Sequence, residues 1–358
     1  MPSQIIHALA ARNALQRIGS SYTQMHQAAF NLGSQGPDIF SHNRRTRPFA
    51  LSYSRLLHRR NYGVFCSHFI KQTKNLTDLE GLLCRSWFFG FVTHPVIDRM
   101  LHPYIIYKSF GVSSPSGYSV NPARFHAFFE RILDVLVFEQ FSKTPVSEFD
   151  TGSTFSLSEA EIDILAVHIS KALSSTYITQ TEEDIHLVQR ICNSFIDSIY
   201  FYGLTNPSEI SLLKSNSILC KNDPFDRFQR FFTYGLDAIA LLFPDKPSSL
   251  IDYLNTGHSE WKHPVSGETS YSSVIELFEL SVLEASEILS TLSSFYSGSS
   301  LTSADLQKFE NLIGNGCLGI AGPDGKIGQV VFNDPFPLDI ELLDQMDQRT
   351  EWLAHLIC

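Results

Sequence analysis

His94, Asp98 and His102 recur at four-residue steps inside one of the most apolar stretches of the chain. Trp87-Phe88-Phe89-Gly90-Phe91-Val92 leads into the row, and Pro103-Tyr104-Ile105-Ile106-Tyr107 leads out of it. Residues four apart share one face of a helix. A helix this apolar on its other sides belongs in a core, and ionisable groups taken into a core need partners or a metal ion. The row therefore demands a fold in which other segments bring complementary groups to this helix. His94 and His102 are separated by roughly 12 Å along the axis, too far to share one ion with ease. The spacing points to two or more neighbouring ions with Asp98 between them. Pro95 either kinks the helix or begins it.

The rest of the chain reads as helices joined by turns. Apolar residues fall at three- and four-residue spacing over Tyr53–Lys71, Thr77–Ser109, Pro122–Phe141, Ser158–Leu173, Glu182–Tyr202, Pro224–Phe243 and Tyr271–Tyr296. Thr77 with Glu80, Ser156 with Glu159 and Thr302 with Asp305 fit capping boxes. Gly328–Phe332 is the one strand expected. The predicted class is all-α, with a metal-binding helical domain over residues 1–145. A helical extension over 146–358 packs on it or continues it.

Eight of the 13 histidines lie at or before His126 (positions 7, 26, 42, 58, 68, 94, 102 and 126), so the chemistry is expected in the first third. His126 and Glu130 stand four apart on a helix, and Asp134 continues their row. Asp38 follows a Gly36-Pro37 turn, which can aim a carboxylate. His7 and His68 each sit among apolar neighbours, where a lone histidine is more often a satisfied core residue than a ligand. Imidazole and carboxylate donors suit zinc, and iron or manganese would also fit.

Composition sets the outer limits. Of 358 residues, 43% are hydrophobic and 18% charged, which suits a globular chain with a large core. The net charge of -10 argues against nucleic acid as a partner, because phosphate backbones need a surplus of Lys and Arg. No run of 18 apolar residues exists to span a bilayer. The six cysteines show no CxxC spacing and read as reduced thiols. With no recognisable leader, a cytoplasmic location is expected.

Taken in order, these pieces resemble the zinc-dependent phospholipase C family, whose superfamily also holds single-strand-specific zinc nucleases. The order is His7, Gly36-Pro37-Asp38, His68, His94-x3-Asp98, His102 and His126-x3-Glu130. A weaker likeness runs from Thr256-Gly257-His258 through Trp261-Lys262-His263-Pro264. The resemblance implies a zinc cluster of two or three ions. One position would use Asp38, His68, His94 and Asp98, a second His102, His126 and Glu130. A third would use His7, Asp98 and a free chain amine, such as that of Pro2 after loss of Met1. It also implies phosphodiester hydrolysis on a phospholipid or related substrate, with Asp38 handling the attacking water. Asp134 could fix a ligand imidazole and Arg99 a phosphate oxygen, although a plain surface role for Arg99 stays open. His42, four residues after Asp38, is a supporting candidate or simply polar. Two other readings stay open: a nuclease-like phosphodiesterase, and a metal-stabilised scaffold without catalysis. The sequence carries nothing on oligomeric state.

Overall fold

A computed structural model of the protein describes residues 4–19, 24–111, 122–177, 184–208, 243–244, 246–298, 300–337 and 342. The described elements are almost entirely α-helical. In chain order they are α1 (Gln4–Arg17), α2 (Gln27–Ser34), α3 (Asp38–Ser41), α4 (Leu51–Arg59), α5 (Tyr62–Thr73), α6 (Asp78–Phe91) and α7 (His94–Ser109). Then come α8 (Pro122–Ser142), α9 (Thr151–Thr154), α10 (Glu159–Tyr177), α11 (Leu187–Leu204), α12 (Val274–Ser297) and α13 (Ser303–Ile313). One antiparallel hairpin, β1 (Trp261–Lys262) with β2 (Thr269–Ser270), pairs Trp261 with Ser270 and Lys262 with Thr269.

Two long periodic stretches turn out to be pairs of helices. The expected Tyr53–Lys71 helix breaks into α4 and α5 at Arg60-Asn61, where Asn61 takes a left-handed φ of 62°. Asparagine tolerates that conformation better than most residues. The Thr77–Ser109 stretch breaks into α6 and α7 at Val92-Thr93. There the Thr93 hydroxyl donates to the Gly90 carbonyl at 2.7 Å, and Pro95 falls in the first turn of α7. The chain thus turns instead of kinking.

Helix starts follow cap chemistry more finely than spacing alone indicates. Thr302 and Asp305 form the expected capping box. The box expected at Ser156 and Glu159 forms two residues later. Ser158 receives the Glu161 backbone N–H at 3.4 Å, and the Glu161 carboxylate accepts from the Ser158 backbone at 2.7 Å. Thr77 gives its hydroxyl to Asp78 at 3.2 Å and closes no box with Glu80. An unforeseen box at Ser273 and Glu276 opens α12. The Gly328–Phe332 strand does not form: Val331 and Phe332 both donate to the single carbonyl of Pro264, at 2.8 and 3.0 Å, which leaves no ladder to extend. The expected helix at Pro224–Phe243 lies outside the described residues, apart from Phe243 itself.

The core is aromatic where α5 meets α6. Tyr62 stacks on Phe91 at 4.7 Å, Trp87 on Phe91 at 4.5 Å, and Phe69 lies 5.1 Å from Trp87. Each such side chain contributes about 1.5–3 kcal/mol on burial. Beside this cluster α2 crosses α6 at backbone contact. A Cβ on Gly33 would lie 2.0 Å from the Trp87 carbonyl oxygen, and one on Gly90 would lie 2.0 Å from that of Phe30. Only glycine permits so close a crossing. It brings the Gly36-Pro37 turn at the end of α2 against the first residue of α7. Helix α7 is then flanked by α1, α8 and α12, and its polar line faces inward.

Candidate metal centre

Each side chain of the centre is placed by a different element. Asp38 opens α3, buried to 3% exposure immediately after the turn. Gly36 takes φ +54°, and a Cβ there would lie 2.3 Å from the His94 ring. The turn thus needs glycine both for its conformation and for room. His94 and Asp98 come from the first turns of α7, His102 from the next, and His126 and Glu130 from adjacent turns of α8. His7 enters on α1. The α1 N-terminus is held by Asp134, whose carboxylate accepts the backbone N–H groups of Gln4, Ile5 and Ile6 at 2.9, 3.0 and 2.8 Å. Three charge-assisted bonds at a helix start fix that helix strongly.

The donors form three groups whose potential ligand atoms lie within 4.8 Å of one another: His7 with His94 and Asp98; Asp38 with His58 and His94; His102 with His126 and Glu130. His94 belongs to two of these groups. Asp98 links them all, lying 3.3 Å from His7 Nε2, 3.2 Å from His94 Nε2, 3.8 Å from His58 Nε2 and 3.5 Å from His102 Nδ1. His102 continues the line through Nε2, 3.4 Å from Glu130, which in turn lies 3.2 Å from His126. The four-residue row on α7 is therefore spread along the centre as its spacing requires, with Asp98 in the middle. A small pocket of about 10 Å³ opens along this line, lined by His7, Asp98, His102 and Glu130 among isoleucine and leucine side chains.

The electrostatics are those of a buried carboxylate–imidazole array. Burial works against ionisation of Asp98, but His102 and His94 and a hydrogen bond from His7 outweigh it and hold the carboxyl well below its ordinary range. Asp38 is likewise held low against burial by His58 and His94. Burial also pulls His102 down, and Asp98 and Glu130 reverse that, raising it to about 9. Burial, with His94 adding to it, lowers His7.

Two imidazoles are preset as donors of a lone pair. His58 Nδ1 lies 2.8 Å from the Ser54 carbonyl, and His94 Nδ1 lies 3.2 Å from that of Ser34. A carbonyl only accepts, so Nδ1 carries the proton and Nε2 is left facing the centre. His94 Nε2, Asp38 Oδ2, Asp98 Oδ2 and His102 Nδ1 are buried without a hydrogen-bond partner among the described residues. Buried polar atoms are rarely left so. Convergent lone pairs on imidazole and carboxylate, with no cysteine among them, fit zinc.

Of the residues singled out in the sequence, the structure brings together His7, Asp38, His94, Asp98, His102, His126 and Glu130. His68 is not among them. It sits part-buried on α5 with Lys71 and Glu310 as charged neighbours, and His58 stands beside Asp38 instead, at 3.1 Å. His58 was missed because a continuous helix over 53–71 would have carried it away from Asp38. The Asn61-Tyr62-Gly63 break was the available clue. Asp134 supports α1 and so His7. Arg99 donates to the Ile313 carbonyl at 2.6 Å and closes the end of α13. It holds a helix end through Nη1, while its buried Nη2 has no hydrogen-bond partner among the described residues. His42 stacks on Phe201 at 4.3 Å behind Asp38. The free chain amine expected at the third position lies outside the described residues.

Residues 6–188 match the model of the zinc-dependent phospholipase C family. The matched region runs from before His7 to beyond Glu130 and takes in all three donor groups, while it stops short of His258–Pro264. No curated protein and no solved structure matches the chain significantly. With half of its length matched and the donors converging within that half, the chain belongs to the zinc-dependent phospholipase C family.

Proposed function

We propose that this protein is a zinc-dependent hydrolase of the phospholipase C type, cleaving a phospholipid phosphodiester. The observation that carries the reading is the convergence on one line of the buried side chains of Asp38, His94, Asp98 and His102, in ion-pair contacts of 3.2–3.5 Å, each with a nitrogen or oxygen that has no hydrogen-bond partner among the described residues. Eight donor residues serve three groups, and two of the groups share His94. So few protein donors per ion leave positions open, as a catalytic zinc site requires and a structural one does not. His7, His58, His94, Asp98, His102, His126 and Glu130 would hold zinc, together with Asp38. Bound zinc would supply Lewis-acid polarisation of the phosphoryl group and ready ionisation of water near neutral pH.

The chain's own residues do the rest. Asp38 stays ionised at neutral pH because His58 and His94 hold its carboxyl low against burial. Its Oδ2 is thus an acceptor that can orient an attacking water through one O–H. Oxygen of that water bonds to phosphorus as its proton passes to Asp38 Oδ2. The phosphorus–oxygen bond to the diacylglycerol breaks, the departing oxygen takes up a proton from solvent water, and Asp38 releases the proton it gained back to solvent. The products are diacylglycerol and a phosphorylated headgroup. No helix in the described residues is long and apolar enough to cross a membrane, and a phospholipid would be met at the protein's surface.

The Asp38→Asn variant tests the role of the carboxylate. It keeps the shape and removes charge and basicity. Hydrolysis of phosphatidylcholine and of bis-nitrophenyl phosphate by zinc-loaded protein is expected to fall at least about a hundredfold, in the range of losing a general base. A zinc-loaded wild type that cleaves no phosphodiester would replace this reading with a metal-stabilised scaffold.

A further inference from the structure

The donor group of His102, His126 and Glu130 has a partner that the hydrolytic scheme does not use. Ser109, 1% exposed in the last turn of α7, places its hydroxyl 3.1 Å from His126 Nδ1. The other nitrogen of that ring, Nε2, lies 3.2 Å from Glu130, and the ring stacks on that of His102 at 5.9 Å. Helical serines commonly turn the hydroxyl back onto their own helix, whereas this one reaches across to α8. The serine is itself held. A strap over residues 333–336 meets the carbonyls at the end of α7. The Asp334 N–H donates to the Tyr107 carbonyl at 2.9 Å, the Phe336 N–H to that of Lys108 at 3.0 Å, and Asn333 Nδ2 to that of Phe110 at 2.8 Å. The Phe336 ring then meets Phe129 of α8 edge-on at 5.5 Å. The strap so ties together the two helices on which the serine and the histidine stand, and it lies beyond the family match over residues 6–188.

We propose that Ser109 is a positioning residue for zinc at the group of His102, His126 and Glu130, holding the His126 ring so that Nε2 points at the ion. The inference rests on the zinc reading of the centre and needs no hydrolysis to be tested. An imidazole that binds metal through one nitrogen is oriented by a hydrogen bond at the other. For His58 and His94 that bond goes to a backbone carbonyl, which only accepts and so fixes one tautomer. A hydroxyl both donates and accepts. It can give its proton to Nδ1 while the Nε2–H donates to the Glu130 carboxylate. It can equally receive the Nδ1–H once Nε2 offers its lone pair to an ion. Serine thus keeps the ring in one direction through both forms, which a carbonyl cannot do. The strap supplies the rigidity that such a contact needs, because a hydroxyl orients a ring only as well as its own helix is held.

Zinc is titrated into chelator-stripped protein against a competing chromophoric chelator, and the variants are compared ion by ion. Ser109→Ala is expected to weaken one ion about 10–100-fold, the scale of losing the partner of a ligand imidazole, and to leave the others as in wild type. Ser109→Thr, which keeps the hydroxyl, should restore most of that affinity. The chelated forms of wild type and Ser109→Ala should melt closely, because the His126 side chain is 24% exposed and water can meet its Nδ1. A histidine-labelled proton–nitrogen NMR spectrum of the zinc-loaded protein reads the ring directly. The His126 Nδ1 proton should be visible in wild type and Ser109→Thr, and broadened by exchange with solvent in Ser109→Ala. A Ser109→Ala protein that binds every ion as wild type does overturns the proposal, as does a loaded His126 that carries its proton on Nε2. A lower Tm in chelated Ser109→Ala, with affinity lost at every ion, marks a packing role and overturns it too. A wild type that binds no zinc sinks the zinc reading of the centre, and the positioning role with it.

Discussion

The Ser54 carbonyl fixes His58 through Nδ1 at 2.8 Å, which leaves Nε2 beside Asp38 at 3.1 Å. A side chain fixed in tautomer and direction loses little freedom when it takes a metal. His58→Ala is therefore expected to cost more than the roughly 10–100-fold in zinc affinity that loss of a mere supporting partner costs. His68→Ala, on the outer part of α5, should leave zinc content unchanged and stability within about 0.5 kcal/mol. Elemental analysis of the two purified variants separates them, and equal zinc loss in both would reject the assignment of His58. Seven of the eight donors were readable in the sequence because they stand in rows or in family order. His58 stands in neither: Leu56-Leu57-His58-Arg59-Arg60 looks like the exposed end of an amphipathic helix. Its role depends on where α4 stops and what α3 brings alongside it. The supporting residues show the same limit. Asp134 and Arg99 stand out for chemistry that suits a site, and the helix ends that each of them holds could not be read from it.

At the scale of elements, periodicity located most of the described helices beyond residue 50, passed over α1, α2 and α3, and missed the two corners that shape the centre. A window of three- and four-residue spacing averages over a single left-handed residue such as Asn61, or a backbone-bonded threonine such as Thr93. Each corner redirects a helix and so decides which histidines converge. The Gly36-Pro37 corner was legible as a turn, but its need for glycine becomes visible only against the His94 ring. Gly36→Ala must either leave the left-handed conformation or push His94 aside. A cost of about 2–4 kcal/mol is expected, from left-handed strain and overpacking together. Zinc bound by the group of Asp38, His58 and His94 should be lost first. Denaturant midpoints and zinc stoichiometry of the variant provide the check. A midpoint within error of wild type would mean that the turn has slack which the 2.3 Å approach does not suggest.

Across the whole molecule, stability and metal content are coupled through the same buried groups. Zinc at a thousand times its Kd would add about 4 kcal/mol per site to the folded state, so chelation should lower Tm markedly. The pH dependence of that difference has a definite sign. In metal-free protein Asp98 and Glu130 raise His102 to about 9 against the pull of burial, compared with 6.5 for an ordinary histidine. The folded state binds this proton more tightly than the unfolded one. Its contribution is fully present below pH 6.5 and is lost as pH rises through 9. Zinc must displace the same proton and gains affinity as pH rises. The gap in Tm between zinc-loaded and chelated protein should therefore widen from pH 6 to pH 9. Scanning calorimetry on both forms tests this, and a gap that narrows would refute the coupling. The three bonds from Asp134 to the start of α1 have a further consequence, in kinetic terms. They span up to 130 residues of chain, so α1 is locked by a helix made well after it. Contacts of such separation are paid for in loop-closure entropy before they yield anything and so form slowly. At roughly 5–20 residues per second of synthesis, His7 waits on the order of ten seconds for the carboxylate that seats it. The centre closes from its far end, after α8 has emerged.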